Sequence, residues 1–295
     1  MRAKTILITG ATAGIGRFAA LHLLRRGHRV LASGRNAAAL AALKTEAGAL
    51  PFETLPLDVT DAASIAAASD EVQRLTDGRG LDVLVNNAGY GLSGPLEGLT
   101  DAALKAQFDT NVFGLLAVTR AFLPAMRARG EGRVLNVASV LGHMSLPFLG
   151  AYCATKYALE ALTDALRLEL APFGIQAVLI EPGTIRSEFE ERTLSSLAPF
   201  RAGSPYAPFI DGFEREARLF YKIAGRPEQV AREIERATDA RWPRARYRTP
   251  LTWRIALALF RAMPTRVADR MLRLFGGLNR RQLPALIRRA GEPAA

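Results

Sequence analysis

The chain has 295 residues, and its 49% hydrophobic and 23% charged content is ordinary for a folded globular protein, which excludes a disordered or fibrous chain. No apolar run approaches the ~20 residues of a membrane-spanning helix, and a single cysteine, Cys153, excludes intramolecular disulfides and cysteine-ligated metal clusters. The formal net charge is +11, and residues 241–295 hold all of it, with 13 arginines against two acidic residues.

The first predicted element is a buried β-strand over residues 4–9, which contains the apolar run Thr5 to Thr9. A glycine-rich turn, Gly10-x-x-x-Gly14-x-Gly16, leads into a predicted helix over residues 15–26. Glycines allow a tight turn and close backbone approach, and the free N–H groups at a helix start suit a pyrophosphate. Because the apolar run stops at Gly10, we expect no secretory signal; with one cysteine, we expect a cytoplasmic protein without a metal centre.

Strands and helices then alternate along the chain, which predicts a parallel sheet with helices packed against it. The further predicted strands lie at residues 29–33, 53–57, 82–85, 133–138 and 175–181, with a short last strand near 245–248. The further predicted helices lie at residues 37–47, 61–76, 101–128, 151–171 and 228–240. No internal repeat or low-complexity linker interrupts this pattern, so we expect one domain followed by a tail.

Tyr152 and Lys156 lie four residues apart in a predicted helix, so both side chains project from one face. A tyrosine hydroxyl has a pKa of ~10, and a nearby ammonium favours the phenolate and lowers that pKa toward the range useful for proton transfer. Ser139 lies 13 residues before Tyr152, directly after the predicted strand at 133–138. These three residues together predict an acid-base site.

Residues 184–225 do not follow the alternation of strands and helices. Long segments of this kind often cover a binding site, and an aromatic lining indicates a large apolar ligand. The alternative is a small satellite core, and the two interpretations are compatible. The aromatic residues of this segment are Phe189, Phe200, Tyr206, Phe209, Phe213, Phe220 and Tyr221.

The tail, residues 251–295, is predicted to form two short helices. Residues 253–263 are apolar almost all round, and the second helix begins after Pro264. Such basic amphipathic helices are typical of contact with a membrane surface or a partner groove. Three interpretations stay open: the apolar stripes pack on the parent domain, contact a membrane peripherally, or form an oligomer contact. In the second helix Val267, Met271, Leu274 and Phe275 share a face beside Arg266, Arg270 and Arg273.

Several of these features belong to one ordered set of motifs, and with that set the chain resembles the short-chain dehydrogenase/reductase family from residue 4 to about residue 250. The motifs are Thr9-Gly10-x-x-x-Gly14-x-Gly16, Asp58-Val59, Asn86-Asn87-Ala88-Gly89, Asn111, Ser139, Tyr152-x-x-x-Lys156 and Pro182-Gly183. The resemblance implies an α/β fold: a single Rossmann-type, doubly wound parallel sheet with helices on both faces. We expect this domain to span residues 1–250, with a substrate lid at 184–225 and a helical C-terminal extension at 251–295.

The resemblance also implies hydride transfer between a nicotinamide cofactor and an alcohol or carbonyl. It assigns Tyr152 as the general acid-base group and Ser139 as the hydrogen-bond donor that polarises the carbonyl. Lys156 is expected to lower the pKa of Tyr152 and to hold the nicotinamide ribose. Asn111 is expected to anchor a water that relays protons to Lys156. Tyr90 and His143 are further candidates for the substrate site.

The expected cofactor is NADP. NAD enzymes usually carry an acidic residue at the end of the second strand, where this chain has Gly34 followed by Arg35, and an arginine pairs with a 2′-phosphate. Ala13 departs from this pattern, because NADP-preferring relatives often have a basic residue there. By resemblance, the cofactor site is expected to contain Gly10, Ala13, Gly14, Ile15, Gly16, Arg35, Asp58, Val59, Asn87, Ala88, Gly89, Tyr152, Lys156, Pro182, Gly183 and Thr184.

Three classes of function stay open at this point. The first is an NADP-dependent oxidoreductase of a bulky lipophilic alcohol or ketone, such as a steroid, a retinoid or a long-chain carbonyl. The second is a ketoreductase of acyl thioesters of the fatty-acid or polyketide type, and the third is a catalytically silent NADP-binding sensor. The expected partners are a small lipophilic substrate and further copies of the chain in a dimer or tetramer. No nucleic-acid partner is expected, since no recognised binding module accompanies the basic charge.

Overall fold

A computed structural model of the chain describes residues 2–276 and residue 278. Its centre is a seven-stranded sheet in the order β3-β2-β1-β4-β5-β6-β7, in which every neighbouring pair is parallel. The predicted doubly wound parallel sheet is therefore confirmed. The strands are β1 Thr5–Ile8, β2 Arg29–Gly34, β3 Phe52–Pro56, β4 Val83–Asn86, β5 Gly132–Val137, β6 Ile175–Pro182 and β7 Arg246–Thr249.

Eleven α-helices are described, and they cover both faces of the sheet and its carboxyl edge. They are α1 Gly14–Arg25, α2 Ala37–Ala47, α3 Ala62–Leu75, α4 Asp101–Phe108, α5 Leu115–Arg129, α6 Gly150–Leu170, α7 Glu188–Ser195, α8 Ala207–Lys222, α9 Pro227–Asp239, α10 Leu251–Ala262 and α11 Thr265–Phe275. None of these helices combines the length and the apolar character that crossing a membrane requires.

The core is divided by the sheet into two layers, because side chains of a strand alternate between its faces. Ile6 and Ile8 of β1 pack with Leu23 of α1 and Ile234 of α9 on one face. Leu7, between them, packs with residues of α3 and α5 on the other face. Burial on both faces explains why β1 is a continuous apolar run.

The strand order reverses at the neighbours β1 and β4, since β2 and β3 lie on one side of β1 and β5 to β7 lie beyond β4. In a doubly wound sheet the loops that follow strands on either side of such a point diverge and leave a crevice at their carboxyl ends. The glycine-rich turn follows β1 and the Asn87-Ala88-Gly89 segment follows β4. The topology therefore places both predicted cofactor segments at one crevice.

The predicted helix over residues 101–128 is interrupted in the structure. A π-helical turn, Asp109–Gly114, separates α4 from α5. Asn111 in this turn accepts a hydrogen bond from the Tyr90 backbone N–H at 3.0 Å and donates one to the Tyr90 carbonyl at 2.9 Å. At Gly114 a Cβ atom would lie 2.6 Å from the carbonyl oxygen of Val59, so only glycine fits this close approach. These contacts join residues distant in sequence, which helical periodicity does not reveal.

A buried ion network fixes the edge of the sheet to α6. Glu181 of β6 is fully buried and pairs with Arg246 and Arg248 of β7, with Arg246 Nε 3.2 Å from Glu181 Oε1. The same Arg246 nitrogen lies 3.0 Å from the carboxylate of Glu160 on α6. Burial and the neighbouring Glu181 carboxylate raise the pKa of Glu160 to about 7. Two of the 13 arginines after residue 240 are therefore part of the domain and neutralise buried acids.

We predict that Glu181→Gln destabilises the protein by roughly 3–5 kcal/mol, the usual cost of removing one partner from a buried ion pair. The substitution removes the carboxylate that faces both Arg246 and Arg248. Arg248 then loses its counter-charge, and Arg246 keeps only Glu160 and Asp164 as partners. Urea unfolding measures the change. The control is Glu71→Gln, which breaks an exposed pair with Arg74 and is expected to leave the unfolding midpoint nearly unchanged. Equal effects of the two substitutions would contradict the prediction.

Candidate active site

The glycine-rich turn is pressed against the segment that follows β4. Gly10 has φ +64°, and a Cβ atom there would lie 2.8 Å from the Ala88 Cα. A Cβ atom on Gly16 would lie 2.4 Å from the Gly10 carbonyl oxygen. The Thr9 hydroxyl accepts hydrogen bonds from the backbone N–H groups of Asn87 and Ala88, each at 3.0 Å. The two loops therefore form one compact cradle at the crevice.

The start of α1 completes this cradle. Ala13 is the N-cap residue, and no side chain caps the first turn of the helix. The first N–H groups of an uncapped helix are donors without intrahelical partners, and the helix dipole favours an anion beside them. Ala13, Gly14 and Ile15 line the cavity at this point. These residues fit a dinucleotide pyrophosphate, as the sequence predicts.

Gly34, Arg35 and Asp58 form the adenosine end of the predicted cofactor site. A Cβ atom on Gly34 would lie 2.9 Å from Thr12 Cγ2, so no acidic side chain fits at this position without displacing Thr12. Arg35 is exposed, and its Nη1 lies 3.8 Å from the Asp58 carboxylate. Hydrogen bonds from the Thr60 backbone N–H and hydroxyl lower the pKa of Asp58, which stays ionised. This end of the cavity thus offers an exposed guanidinium group that is loosely paired with a fixed carboxylate.

Tyr152 and Ser139 meet at the opposite end of the cavity. Tyr152 lies in the first turn of α6, and its hydroxyl is hydrogen-bonded to Ser139. Ser139 follows β5, where its Oγ also accepts a hydrogen bond from the Leu141 N–H at 3.1 Å. Burial raises the pKa of Tyr152, and this effect outweighs the opposing Ser139 hydrogen bond. The sequence-based expectation of a lowered Tyr152 pKa is therefore wrong for the protein alone, because desolvation of the buried hydroxyl group raises this pKa.

Lys156 lies one turn after Tyr152, and the two side chains share the buried face of α6. Its Nζ is 5.6 Å from the centre of the Tyr152 ring and donates a hydrogen bond to the Val137 carbonyl at 2.9 Å. Burial lowers the pKa of Lys156 to about 8, and the negative charge of Glu160 opposes that shift. Lys156 is therefore mostly protonated at neutral pH and places a positive charge over the Tyr152 ring.

Asn111 lies behind these residues and does not line the cavity. Its side chain amide, which binds both backbone groups of Tyr90, also donates to the Thr155 hydroxyl on α6 at 3.2 Å. The amide thus joins the loop after β4 to the helix that carries Tyr152 and Lys156. The structure places Asn111 at a junction between the segments that form the site, in a π-helical turn of the kind that is frequent at functional sites.

The predicted site residues surround one cavity of about 920 Å³. Of the predicted cofactor and catalytic residues, all but Gly16 and Asn111 line it. Gly16 acts in packing, since its backbone lies against Gly10. Tyr90 also lines the cavity, whereas His143 lies outside it and contacts buried carboxylates. The lining residues that the sequence predicted are Gly10, Ala13, Gly14, Ile15, Arg35, Asp58, Val59, Asn87, Ala88, Gly89, Ser139, Tyr152, Lys156, Pro182, Gly183 and Thr184.

His143, Glu160 and Glu181 bring three potential metal-ligand atoms within 4.8 Å of one another. The same carboxylates are paired with Arg246 and Arg248. Two guanidinium groups at the cluster would repel a divalent cation. The cluster is better described as a charge network that supports α6 and the sheet edge.

The segment between β6 and α9 closes one side of the cavity. The ring of Phe189 on α7 lies 5.5 Å from the ring of Tyr152, and Tyr221 at the end of α8 also lines the cavity. Other aromatic residues of this segment form a satellite core in which Phe213 packs at 5.3 Å against Phe148. Aromatic residues of this segment therefore line the cavity, form the satellite core or, as Phe213 does, contribute to both. The function of residues 184–225 as a substrate lid stays a prediction.

The tail helices close the other side of the cavity, in agreement with the interpretation that their apolar stripes pack on the parent domain. Trp253 of α10 packs directly on Gly183, where a Cβ atom would lie 2.0 Å from the indole. Phe260 and Met263 of α10 and Met271 of α11 also line the cavity. The available signal was the apolar character of residues 253–263 on every side, which indicates a buried contact but not its location.

Comparisons with known proteins agree with this geometry. The sequence model of the family described as short chain dehydrogenase matches residues 4–197. Human 17-beta-hydroxysteroid dehydrogenase type 1 is 40% identical over 262 residues, which cover 84% of this chain and 78% of that protein. Retinol dehydrogenase 8 of Bos taurus is 36% identical over 267 residues, which cover 87% and 84%.

Solved structures give the same result. A variant of the actinorhodin polyketide ketoreductase, crystallised with NADPH, superimposes with a TM-score of 0.71 and 28% identity over 84% of this chain and 95% of that chain. The match to the family model covers the crevice, the Tyr152–Ser139 pair and Lys156. The chain therefore belongs to the short-chain dehydrogenase family and is an oxidoreductase that acts on alcohol or carbonyl groups.

Proposed function

We propose that the protein is an NADP(H)-dependent oxidoreductase that transfers hydride between the nicotinamide and a bulky lipophilic alcohol or ketone. The observation that carries this proposal is the position of the Tyr152–Ser139 hydroxyl pair at a large, mostly apolar cavity. The cavity has room for a cofactor and a second molecule of considerable size, since ligand sites commonly measure about 300–1,000 Å³. The preferred substrate class is steroid-like, retinoid-like or a long-chain carbonyl.

The bound cofactor supplies or accepts the hydride, and the chain's own residues manage the proton on the substrate oxygen. In carbonyl reduction Ser139 donates a hydrogen bond that polarises the carbonyl, and Tyr152 gives its proton to the oxygen as the carbon receives the hydride. The raised pKa of Tyr152 keeps that proton in place at neutral pH until the substrate oxygen becomes basic. In the reverse direction Tyr152 accepts the proton.

Lys156 and Asn111 support this proton transfer. The ammonium group of Lys156 stabilises the Tyr152 phenolate that forms after the proton leaves. Its position also suits a hydrogen bond to the nicotinamide ribose, in keeping with the family pattern. Asn111 positions Tyr90 and Thr155, and we assign it the water-anchoring role that its family counterpart has.

NADP is favoured over NAD by the chemistry at the end of β2. An acidic side chain at position 34 would have to displace the Thr12 side chain, and the exposed guanidinium of Arg35 is available to a 2′-phosphate. The solved ketoreductase structure similar to this chain contains NADPH, which supports the assignment. Gly10, Gly14 and the start of α1 are proposed to hold the pyrophosphate, with Asp58 beside the adenine.

The assignment of a lipophilic substrate is supported by the walls beyond Tyr152. Phe189, Trp253, Phe260 and Met271 present aromatic and aliphatic surface to the cavity. The names of the two curated relatives, a hydroxysteroid dehydrogenase and a retinol dehydrogenase, refer to lipophilic alcohols. Contact with these apolar side chains removes apolar substrate surface from water, which favours binding by about 25 cal/mol of free energy per Å² buried.

A homo-oligomer, either a dimer or a tetramer, is part of the proposal. Phe113 before α5 and Tyr157 and Leu168 on α6 are exposed apolar side chains, which a second copy would cover. We further propose a cytoplasmic location, in keeping with the single buried Cys153. Sedimentation velocity measures the oligomeric state directly, and a monomer at micromolar concentration would contradict it.

The first test is a substrate series. We predict that kcat/KM with NADPH rises at least tenfold from short-chain to long-chain or polycyclic ketones, because the larger substrates bury more apolar surface. NADPH oxidation at 340 nm is the measurement. A series of acyl thioesters of matched length is the comparison, and a clear preference for the thioesters would replace the proposed function with the ketoreductase alternative.

We predict that Tyr152→Phe lowers kcat by ~10²–10⁴-fold, the usual contribution of a general acid-base group, while the Kd for NADPH stays within about threefold. Tyr157→Phe is the matched control, since Tyr157 lies on the same helix but outside the cavity. Steady-state turnover and fluorescence titration with NADPH measure the two quantities. Full activity of Tyr152→Phe would remove this residue from the proton-transfer step.

We predict that Arg35→Ala weakens NADPH binding by about 1.5–3 kcal/mol, or roughly 10- to 150-fold in Kd, since it removes a hydrogen bond to a charged group. NADH binding should change little, because NADH lacks the 2′-phosphate. Arg74→Ala, which removes an exposed arginine from α3, is the control. Equal losses for both cofactors, or a wild-type preference for NADH, would overturn the NADP assignment.

A further inference from the structure

Helix α10 has two apolar faces on opposite sides. Trp253, Leu257 and Phe260 face inward, and Leu257 is almost fully buried. On the outer side Leu251, Ile255 and Leu259 recur every four residues, and each is about 60% exposed. Packing on the domain buries Leu257 of the inner face and leaves the outer face exposed.

Helix α11 also carries exposed aliphatic side chains. Val267 and Leu274 lie seven residues apart and are 53% and 68% exposed. Exposed arginines accompany the apolar residues on both helices. They are Arg254 and Arg261 on α10 and Arg266, Arg270 and Arg273 on α11. We call the five exposed aliphatic residues and these five arginines the tail face.

The arginines of the tail face are free of counter-charges. Within residues 2–276 none of the five forms an ion pair with a carboxylate, in contrast to Arg246 and Arg248. Asp269 is the one acidic residue between positions 251 and 276. The tail face is therefore both apolar and strongly basic.

The tail face meets the cavity at Leu259. This side chain is exposed and also lines the cavity that contains Tyr152. Ala256 is a second residue of α10 that is both exposed and part of the lining. A lipophilic molecule that leaves a surface covering these residues enters the cavity without crossing bulk water.

From these observations we infer that the tail face docks on an anionic lipid bilayer, so that the enzyme takes its lipophilic substrate directly from the membrane. Exposed aliphatic side chains flanked by arginines match the acyl-headgroup boundary of such a bilayer, where the apolar face inserts and the arginines contact anionic headgroups. A second copy of the chain would place the same arginines against each other. Base stacking by a nucleic acid needs exposed aromatic rings, and the exposed large side chains of the tail face are aliphatic.

The test uses the full chain, including residues 279–295, and vesicles of phosphatidylcholine with or without 30% phosphatidylglycerol. Co-sedimentation is expected to show at least tenfold tighter binding to the anionic vesicles, and 0.5 M NaCl should remove most of this difference because salt screens the arginines. Equal binding to both vesicle types, or no binding to either, would overturn the inference.

Two double variants test the tail face itself. Leu251→Ser/Ile255→Ser and Arg266→Gln/Arg270→Gln should each weaken binding to anionic vesicles by roughly tenfold. The matched controls are Ile223→Ser, at an 80% exposed apolar residue after α8, and Arg127→Gln, at an exposed arginine of α5; both should bind as wild type. If the tail-face variants also bind anionic vesicles as tightly as the wild type, the tail face is not the surface that docks on the membrane. If they instead abolish a concentration-dependent dimer without any vesicle binding, the tail face contacts a second copy and the inference fails.

The inference rests on the proposed function, because docking on a membrane serves to deliver a lipophilic substrate. Different experimental results would contradict the membrane docking and the proposed function. With a detergent-dispersed ketone, the tail-face variants should keep wild-type kcat/KM, whereas with the same ketone supplied in anionic vesicles their rate should fall by roughly the loss in binding. Wild-type rates in both formats would overturn direct uptake from lipid. Absence of ketone turnover by the wild type, with vesicle binding intact, would instead contradict the proposed function alone.

Discussion

The rest of the structure depends on the close backbone approach of two loops at the β1/β4 crevice. Gly10 and Ala88 touch without space for a side chain, and Thr9 binds the backbone of Asn87 and Ala88 through its hydroxyl. This contact fixes the start of α1 on one side of the crevice and the Tyr90 loop on the other. Through Asn111 the Tyr90 loop is joined to α6, and α6 carries Tyr152 and Lys156. The cofactor end and the reacting end of the cavity therefore share one rigid support.

A network of oppositely charged side chains joins α6 to the edge of the sheet. Glu160, Arg246 and Glu181 are joined by ion pairs at the edge of the sheet, and the negative charge of Glu160 also acts on Lys156 at the cavity. Each buried charge is tolerable because an opposite charge lies next to it. Glu160 contributes to two tasks, since it raises the pKa of Lys156 and pairs with Arg246. The stability of the sheet edge and the protonation of Lys156 are linked in this way.

The sequence predicted the strands, most helices and the composition of the cavity lining because these follow from local patterns. Apolar runs locate the strands, Gly10 and Ser139 closely follow strands, and the Tyr152 motif lies on a helix that the sequence predicts. The π-helical turn at Asn111 and the contact of Trp253 with Gly183 depend on residues that are 21 and 70 positions apart in the chain. No short-range pattern carries such information. The division into residues 1–250 and 251–295 stays a prediction, although α10 contributes to the cavity of the first part.

In the proposed mechanism, substrate binding and proton transfer depend on the same burial. Tyr152 and Lys156 are both buried, and the Phe189 ring packs 5.5 Å from the Tyr152 ring. Burial raises the pKa of Tyr152 and lowers that of Lys156, because desolvation disfavours the charged form of each group. A wall that admits water would bring both pKa values back toward their ordinary range and would weaken every electrostatic contact at the substrate oxygen. Residues 184–225 and the tail helices, which line the cavity, therefore influence the proposed acid-base chemistry as well as the proposed substrate fit.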